Sequence, residues 1–286
     1  MHLGYEAMTD PRREVGAESN YVLGHSQREI ERLKGQARLI DPITQRFFRE
    51  AGLTTGMRVL DVGSGAGDVA FLAAGIVGAS GAVVGIDRVP AVLEVARART
   101  AAKELPNVTF CDGDPAAMTF EQPFDAAIGR YVLQFQQDPA SVLRKVATHV
   151  RPGGLVAFHE IDWGGLGSYP AVPTYDRCSR WGAETLRLHG TESRMGAKLN
   201  ATFVAAGLPN PTTRLEALIV GGPAVLPWLH SFKELIGILV PEMERLGVAT
   251  AAEVGLESLV ERISAEINAR SSVVFGHSQI AAWVRA

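Results

Sequence analysis

"VLDVGSGAGDVAFLAA", residues 59–74, decides the fold. A run of small apolar residues ends in Asp61. Gly63, Gly65 and Gly67 then alternate with small residues, and an amphipathic helix follows. The run before Asp61 reads as a buried strand. Three glycines allow a tight turn and let backbone amides approach a ligand closely. Twenty residues beyond Gly67, at the end of the strand-like run "VVGID", stands Asp87. A carboxylate there can accept two hydrogen bonds from a ribose diol. Strand, glycine turn, helix and acid in this order predict a ribose-containing cofactor.

Two cofactors compete for that description. A dinucleotide fold prefers G-x-G-x-x-G, with a pyrophosphate on the helix N-terminus. Here the spacing is G-x-G-x-G, and Asp61 stands two residues before the first glycine. A negative charge at that point repels a pyrophosphate and attracts an ammonium or a sulfonium. S-adenosylmethionine (SAM) carries both, so the charge decides for SAM.

Outward from this stretch, strands and helices alternate. "MRVLDV", "AVVGID", "NVTFCDGD", "FDAAIGR" and "LVAFHEIDW" read as strands. "GDVAFLAAGIVG", "VPAVLEVARARTAAKEL" and "PASVLRKVATHV" read as the helices between them. That rhythm predicts an α/β domain, a parallel sheet with helices on both faces. Before it, two helices are expected within residues 25–52, with Pro42 as the break and Gly52 as the stop. Residues 1–20 are polar and aperiodic and are expected to form a mobile segment. After Trp163 the rhythm breaks. Helical insertions are expected at about 165–190 and 223–270, the second broken by Pro227 and Pro241. Between them lie a sheet-packing helix, "MGAKLNATFVAAGL", and a strand, "TTRLEALIV". "SSVVFGHSQIAAWVRA" reads as a final apolar strand. Residues 21–286 are thus expected to form a single domain whose insertions make a cap.

"VLDVGSGAG", "VVGID", "VTFCDGD", "FDAAIGRYVLQF" and "VRPGGLVAFHEID" resemble the successive motifs of class I SAM-dependent methyltransferases, closest to the ubiquinone/menaquinone-type and small-molecule enzymes. The resemblance covers roughly residues 25–165. It implies a Rossmann-like seven-stranded sheet whose last strand is antiparallel. It also implies roles. Gly63, Ser64 and Gly65 would line the cofactor loop, with Asp61 near the methionine end. Asp87 would hold the ribose hydroxyls, and Arg88 would flank the adenine. Asp114 would accept from the adenine amino group, with Gly113 in the same loop. Arg130 would pass its backbone beside the methionine portion. Where the family often has a pair of histidines, this chain has Gln134 and Phe135. In related enzymes an N-terminal segment closes over the cofactor. Here Arg32 and Gln36 are one helical turn apart and share a face, so Arg32 could pair with the SAM carboxylate. Tyr21 and His25 are further candidates for the pocket mouth.

Methyl transfer needs no fixed triad, because the cofactor supplies the reactivity. A base, if one is used, is expected outside the carboxyl ends of the strands. His159 and Glu160 sit there on opposite faces of one strand, with Glu160 the preferred candidate. His189 and His230, in the insertions, are secondary ones. Trp181, Trp228, Phe232, Leu235, Ile236, Ile238, Leu239 and Met243 suit the lining of an apolar acceptor pocket.

Bulk properties narrow the class. The chain has 286 residues, 47% apolar and 21% charged, with 28 basic and 31 acidic side chains and a formal charge of −3. That balance argues against nucleic acid. Two cysteines, Cys111 and Cys178, fit a reduced, cytoplasmic setting. Neither a secretion signal nor a membrane span is expected, and no Cys/His cluster has metal-site spacing. The apolar insertions would allow a homodimer. The reading is a methyltransferase that uses SAM, releases S-adenosylhomocysteine, and acts on an O or C, or N, atom of a small, partly apolar metabolite. A NAD(P)-dependent oxidoreductase and a non-catalytic SAM-binding protein stay open as alternatives.

Overall fold

A computed structural model describes residues 27–286 except Ala116, with side chains from Leu39 onward. The segment 1–26, including Tyr21 and His25, and the side chains of Arg32 and Gln36 lie outside the described residues.

The chain opens with α1 (Gln27–Glu50) and then alternates: β1 (Arg58–Val62), α2 (Asp68–Val77), β2 (Ala82–Asp87), α3 (Pro90–Ala102), β3 (Val108–Asp112), β4 (Phe124–Arg130), α4 (Pro139–Ala147) and β5 (Val150–Asp162). There follow β6 (Gly167–Tyr169), α5 (Pro173–His189), α6 (Met195–Ala205), β7 (Thr212–Glu216) and β8 (Ile219–Gly221). The chain closes with α7 (Leu226–Arg245), α8 (Ala251–Val254), α9 (Leu259–Arg270), β9 (Val273–Phe275) and β10 (Ser278–Arg285).

Seven strands form one sheet in the order β3-β2-β1-β4-β5-β10-β7. β1 to β5 run parallel to one another, and β10 is antiparallel to both β5 and β7. This is the Rossmann-like α/β arrangement with an antiparallel last strand that the resemblance implied. The order reverses between β1 and β4, and a ligand crevice opens outside the carboxyl ends of the strands at such a reversal. One apolar layer packs α2 and α3 on the sheet through Val69, Ala73, Val77, Leu93 and Ala96. The opposite layer packs α4 and α6 through Leu143, Val146, Leu199 and Phe203.

Three details differ from the pattern read in the sequence. Pro42 does not divide the first helix, and α1 runs through it. A proline inside a helix removes a hydrogen bond, but Ile40, Ile43, Phe47 and Phe48 bury one face of the helix on both sides of it. Likewise α7 begins with Pro227 in its first turn and continues past Pro241. The two late strands are each split. β7 and β10 join the large sheet, while β8 and β9 join β6 in a small antiparallel one. The splits meet where the Gly276 N–H donates to the Leu218 carbonyl (2.8 Å). A Cβ on Gly276 would press on Leu218 and Trp228 at 3.2–3.3 Å.

The small sheet and α5, α7, α8 and α9 enclose a second core that includes Tyr175, Cys178, Trp228, Phe232, Ile236, Leu239, Met243, Ile263 and Ile267.

Candidate functional site

Asp61 ends up at the floor of the crevice because β1 is a central strand, flanked by β2 and β4. Its side chain is 1% exposed. Among the described residues, neither carboxylate oxygen has a hydrogen-bond partner of normal geometry, and the same is true of the Ser64 hydroxyl. Burial therefore pushes the Asp61 pKa well up. Arg130 pulls it down, and Asp87 and Asp68 push it further up. A buried acid in this state lacks a positive partner.

The glycine turn fixes the wall above it. Gly63 has φ +67° and lies so close to Val132 that an added Cβ would meet its methyl at 2.7 Å. Gly65 has φ +51°, and an added Cβ there would meet nothing within 4 Å. So the turn is closed toward the β4 side and open at Gly65.

Asp87 holds this turn in place. Its two oxygens accept from the N–H groups of Gly65 (2.9 Å) and Val89 (3.0 Å). Those bonds leave lone pairs to spare, since a carboxylate offers about four acceptor sites. The Gly113 N–H donates to the Asp87 carbonyl (3.0 Å), and Arg88 pairs with Asp114 at 2.7 Å. Asp61, Gly63, Ser64, Gly65, Asp87, Arg88, Gly113 and Asp114 thus lie at or just beyond the carboxyl ends of β1, β2 and β3.

A match to a family model supplies the deciding comparison: residues 53–192 fit the one described as a methyltransferase domain. This part of the chain is similar to that methyltransferase domain. Similar relatives include the demethylmenaquinone methyltransferase of Lactococcus lactis, 32% identical over 131 residues, 46% of this chain and 50% of that one. The aklanonic acid methyltransferase of Streptomyces sp. strain C5 is 33% identical over 133 residues, 46% of this chain and 60% of that one. The 2-phytyl-1,4-naphtoquinone methyltransferase of Synechococcus elongatus is 42% identical over 106 residues, 36% of this chain and 45% of that one. The chain spans about half the length of the curated relatives it matches. Among solved structures, a Bacillus halodurans C-125 protein shares the fold with a TM-score of 0.53 at 18% identity, over 84% of this chain and 96% of that one.

Within this methyltransferase fold, the residues after β4 are the least expected part. The side chain of Arg130 turns toward α1. Its Nη1 donates to Asp41 (2.7 Å) and to the Thr44 hydroxyl (3.0 Å). Asp41 is half-buried, and its pKa is raised because desolvation outweighs the pull of Arg130. The resemblance assigned only the backbone of Arg130. The structure adds a side chain that ties α1 to the sheet.

His159 and Glu160 are both fully buried. Glu160 Oε1 accepts from the N–H groups of Val132 (2.8 Å) and Leu133 (2.7 Å), and Oε2 has no partner. Burial raises the Glu160 pKa to about 7, against the opposing pull of those N–H groups. Glu160 therefore holds the turn between β4 and α4. This placement favours a positioning role over that of a base in contact with substrate. His159 lies between Thr44 and Gln279, and burial lowers its pKa to about 3. His189 bridges α5 to α7 through Glu242 (2.7 Å), and His230 is exposed on α7. Of the apolar residues expected to line a pocket, Trp228, Phe232, Ile236, Leu239 and Met243 fill the second core, while Trp181, Leu235 and Ile238 stay partly exposed.

Sequence reasoning missed Asp41, Thr44, Tyr131 and Gln279. Asp41 precedes a proline and reads as a helix end. Gln279 is a polar residue in an apolar strand, which was the available signal. Among the described residues, no three of His, Cys, Asp and Glu converge as metal ligands, and no helix is long and apolar enough to cross a membrane.

Proposed function

We propose that the chain methylates a small, partly apolar molecule with SAM as donor. The buried carboxylate of Asp61, without a partner at the carboxyl end of β1, carries this reading. A cofactor with an ammonium and a sulfonium meets that charge, and the open side of Gly65 leaves room beside it. A pyrophosphate would meet three acids, Asp61, Asp68 and Asp87, in the same corner.

When bound, SAM supplies an electrophilic methyl group. Asp61 balances its positive charge, and Asp87 accepts from its ribose while still bracing the glycine turn. Asp114 takes the adenine amino group. Arg88, Gly113 and Arg130, with Arg32 and Gln36 of α1, complete the binding set. Glu160 and His159 hold the turn after β4 in place. The relatives named above act on a demethylmenaquinone, a phytyl naphthoquinone and aklanonic acid. Those names support an O or C, or N, atom of a ring-bearing acceptor. The cap's partly exposed apolar residues suit such a molecule. A cytoplasmic location fits the two free cysteines, Cys111 and Cys178. A homodimer would use exposed apolar residues such as Leu188 and Leu226.

Calorimetric titration with S-adenosylhomocysteine and, separately, NADH tests the reading. Micromolar binding of the homocysteine nucleoside alone is expected. Asp87→Ala should weaken it by about 2 kcal/mol, the worth of a charged acceptor. Binding of NADH, or of neither compound, would overturn the proposal.

A further inference from the structure

The glycine turn between β1 and α2 is held from outside at several points. Three glycines in five residues, 63–67, give it little conformational preference of its own. Gly63 rests against Val132, and Gly67 against the rings of Phe71 and Phe110. Between them, the piece Gly65–Ala66 is held at both ends by charged side chains. At its start the Gly65 N–H donates to Asp87 (2.9 Å). At its end the Ala66 carbonyl accepts from Arg99 Nη1 (2.6 Å).

Arg99 belongs to α3, two elements further along the chain. Ala96, one helical turn before it, is buried in the layer that packs α2 and α3 on the sheet. Arg99 reaches from there to the first turn of α2, where its guanidinium forks. Nη1 takes the Ala66 carbonyl, and Nη2 takes Asp68 Oδ1 (2.6 Å). The guanidinium carbon lies 5.0 Å from the centre of the Phe71 ring. The Arg99 side chain is 23% exposed and that of Asp68 16%, so the pair is largely out of water. A planar fork holds a carbonyl and a carboxylate at once, which the point charge of a lysine does less well.

One side of this piece is open. A Cβ added to Gly65 would meet nothing within 4 Å, and the proposed cofactor uses that space. Whatever fixes Gly65–Ala66 therefore fixes the wall that the cofactor meets.

We infer that Arg99 sets cofactor affinity as a positioning residue, acting through the Gly65–Ala66 backbone and not on the cofactor itself. The inference rests on the methyltransferase reading. With Arg99 in place, the free protein already holds the turn in the receiving shape. Without it, the ligand must order this glycine-rich backbone on binding, and that ordering is lost from the affinity.

Calorimetric titration of the full-length protein with S-adenosylhomocysteine tests this, well below each variant's melting temperature. If the wild type does not bind, the methyltransferase reading fails and this inference falls with it. If it binds, Arg99→Met should bind at least about tenfold more weakly, and Arg99→Lys should fall between the two. Arg144→Met is the control. Arg144 also donates to a carbonyl, that of Ala205 (2.8 Å), but on the other face of the sheet. Its loss should leave affinity within about twofold. In the ligand-free protein, backbone amides of residues 62–70 should exchange hydrogen faster in Arg99→Met, with those of β10 unchanged. A merely structural arginine would lower stability without moving either readout in the folded protein. If Arg99→Met does not fold, Arg99→Lys carries the test, and a loss below about threefold overturns the inference. Wild-type affinity in folded Arg99→Met, or unchanged exchange at 62–70, would also overturn it. So would recovery of affinity on adding Asp68→Asn to Arg99→Met, because Arg99 would then serve only to neutralise Asp68.

Discussion

Replacing Glu160 with glutamine should remove a pH-dependent loss of stability. In the folded protein this carboxyl has a pKa of about 7, against an ordinary value of 4.5, because burial disfavours its charge. Between those two pH values the unfolded chain gives up the proton and the folded chain keeps it. The folded state then binds more protons, so stability falls as pH rises. At 1.36 kcal/mol for each tenfold change in proton affinity, the loss between pH 5 and pH 8 is roughly 2–3 kcal/mol. Glutamine stays neutral and keeps a carbonyl oxygen for the Val132 and Leu133 N–H groups. His159 acts in the opposite sense. Its folded pKa of about 3 lies below the ordinary 6.5, so its contribution is present above 6.5 and is lost as pH falls toward 3. That effect belongs to both proteins and cancels in their difference. Urea unfolding of each protein at pH 5 and pH 8, with the slopes compared, gives the test. The variant should gain roughly 2–3 kcal/mol relative to wild type between the two pH values. A difference that stays constant within about 0.5 kcal/mol would refute the argument that burial controls Glu160.

Asp61→Asn should raise the melting temperature of the ligand-free protein, because it removes a buried carboxyl whose ionised form burial makes costly. An increase of about 2–4 °C, the equivalent of about 1 kcal/mol for a large domain, is expected by differential scanning fluorimetry. The same variant should bind S-adenosylhomocysteine at least about tenfold more weakly; unchanged melting and affinity would count against the charge argument. Thr44→Val keeps the shape of a fully buried side chain but strips an acceptor from Arg130 and a partner from His159 Nδ1. It should cost about 1–3 kcal/mol in urea unfolding, and a loss below about 0.5 kcal/mol would show those bonds to be unimportant.

The sheet was legible because its signals are local. "VLDVGSGAG" places a strand, a turn and a helix start within a few residues, and each later strand repeats that apolar shortness. The crevice residues Asp61, Gly65, Asp87 and Asp114 follow from the same periodicity, since each falls at or just beyond a strand end. The region of the second core was legible only as helices. Its small sheet is made of three-residue strands, too short to show alternation, drawn from segments about 50 residues apart in sequence. The polar group around Gln279 could not be read at all. It joins Thr44, Tyr131, His159 and Gln279, residues from three elements and the turn after β4. No spacing rule connects a helix at residue 44 to a strand at residue 279. Pro42 misled for a related reason: its local penalty is outweighed by four buried residues whose partners are distant in sequence.

Where the structure leaves charge unsatisfied also carries information. Three buried carboxylates stand near the carboxyl ends of β1 and β5, and they are treated differently. Asp162 accepts from the Gly164 and Ala197 N–H groups and from Arg194, so its charge is met within the fold. Glu160 is met on one oxygen only, and Asp61 on neither. The chain can evidently satisfy a buried acid at this edge of the sheet. A strained Tyr131 lies after β4, the strand between the other two. Unsatisfied charge and backbone strain each lower stability, and both persist only where the surrounding fold or a ligand compensates. Packing cannot compensate for Asp61, because burial is what makes its charge costly. A cationic ligand can. Stability given up at β1 in the free protein is recovered on binding, so S-adenosylmethionine, which carries a sulfonium, should stabilise the wild type more than S-adenosylhomocysteine does at the same occupancy. Asp61→Asn should narrow that gap, and a gap of the same size in both proteins would place the sulfonium out of reach of Asp61.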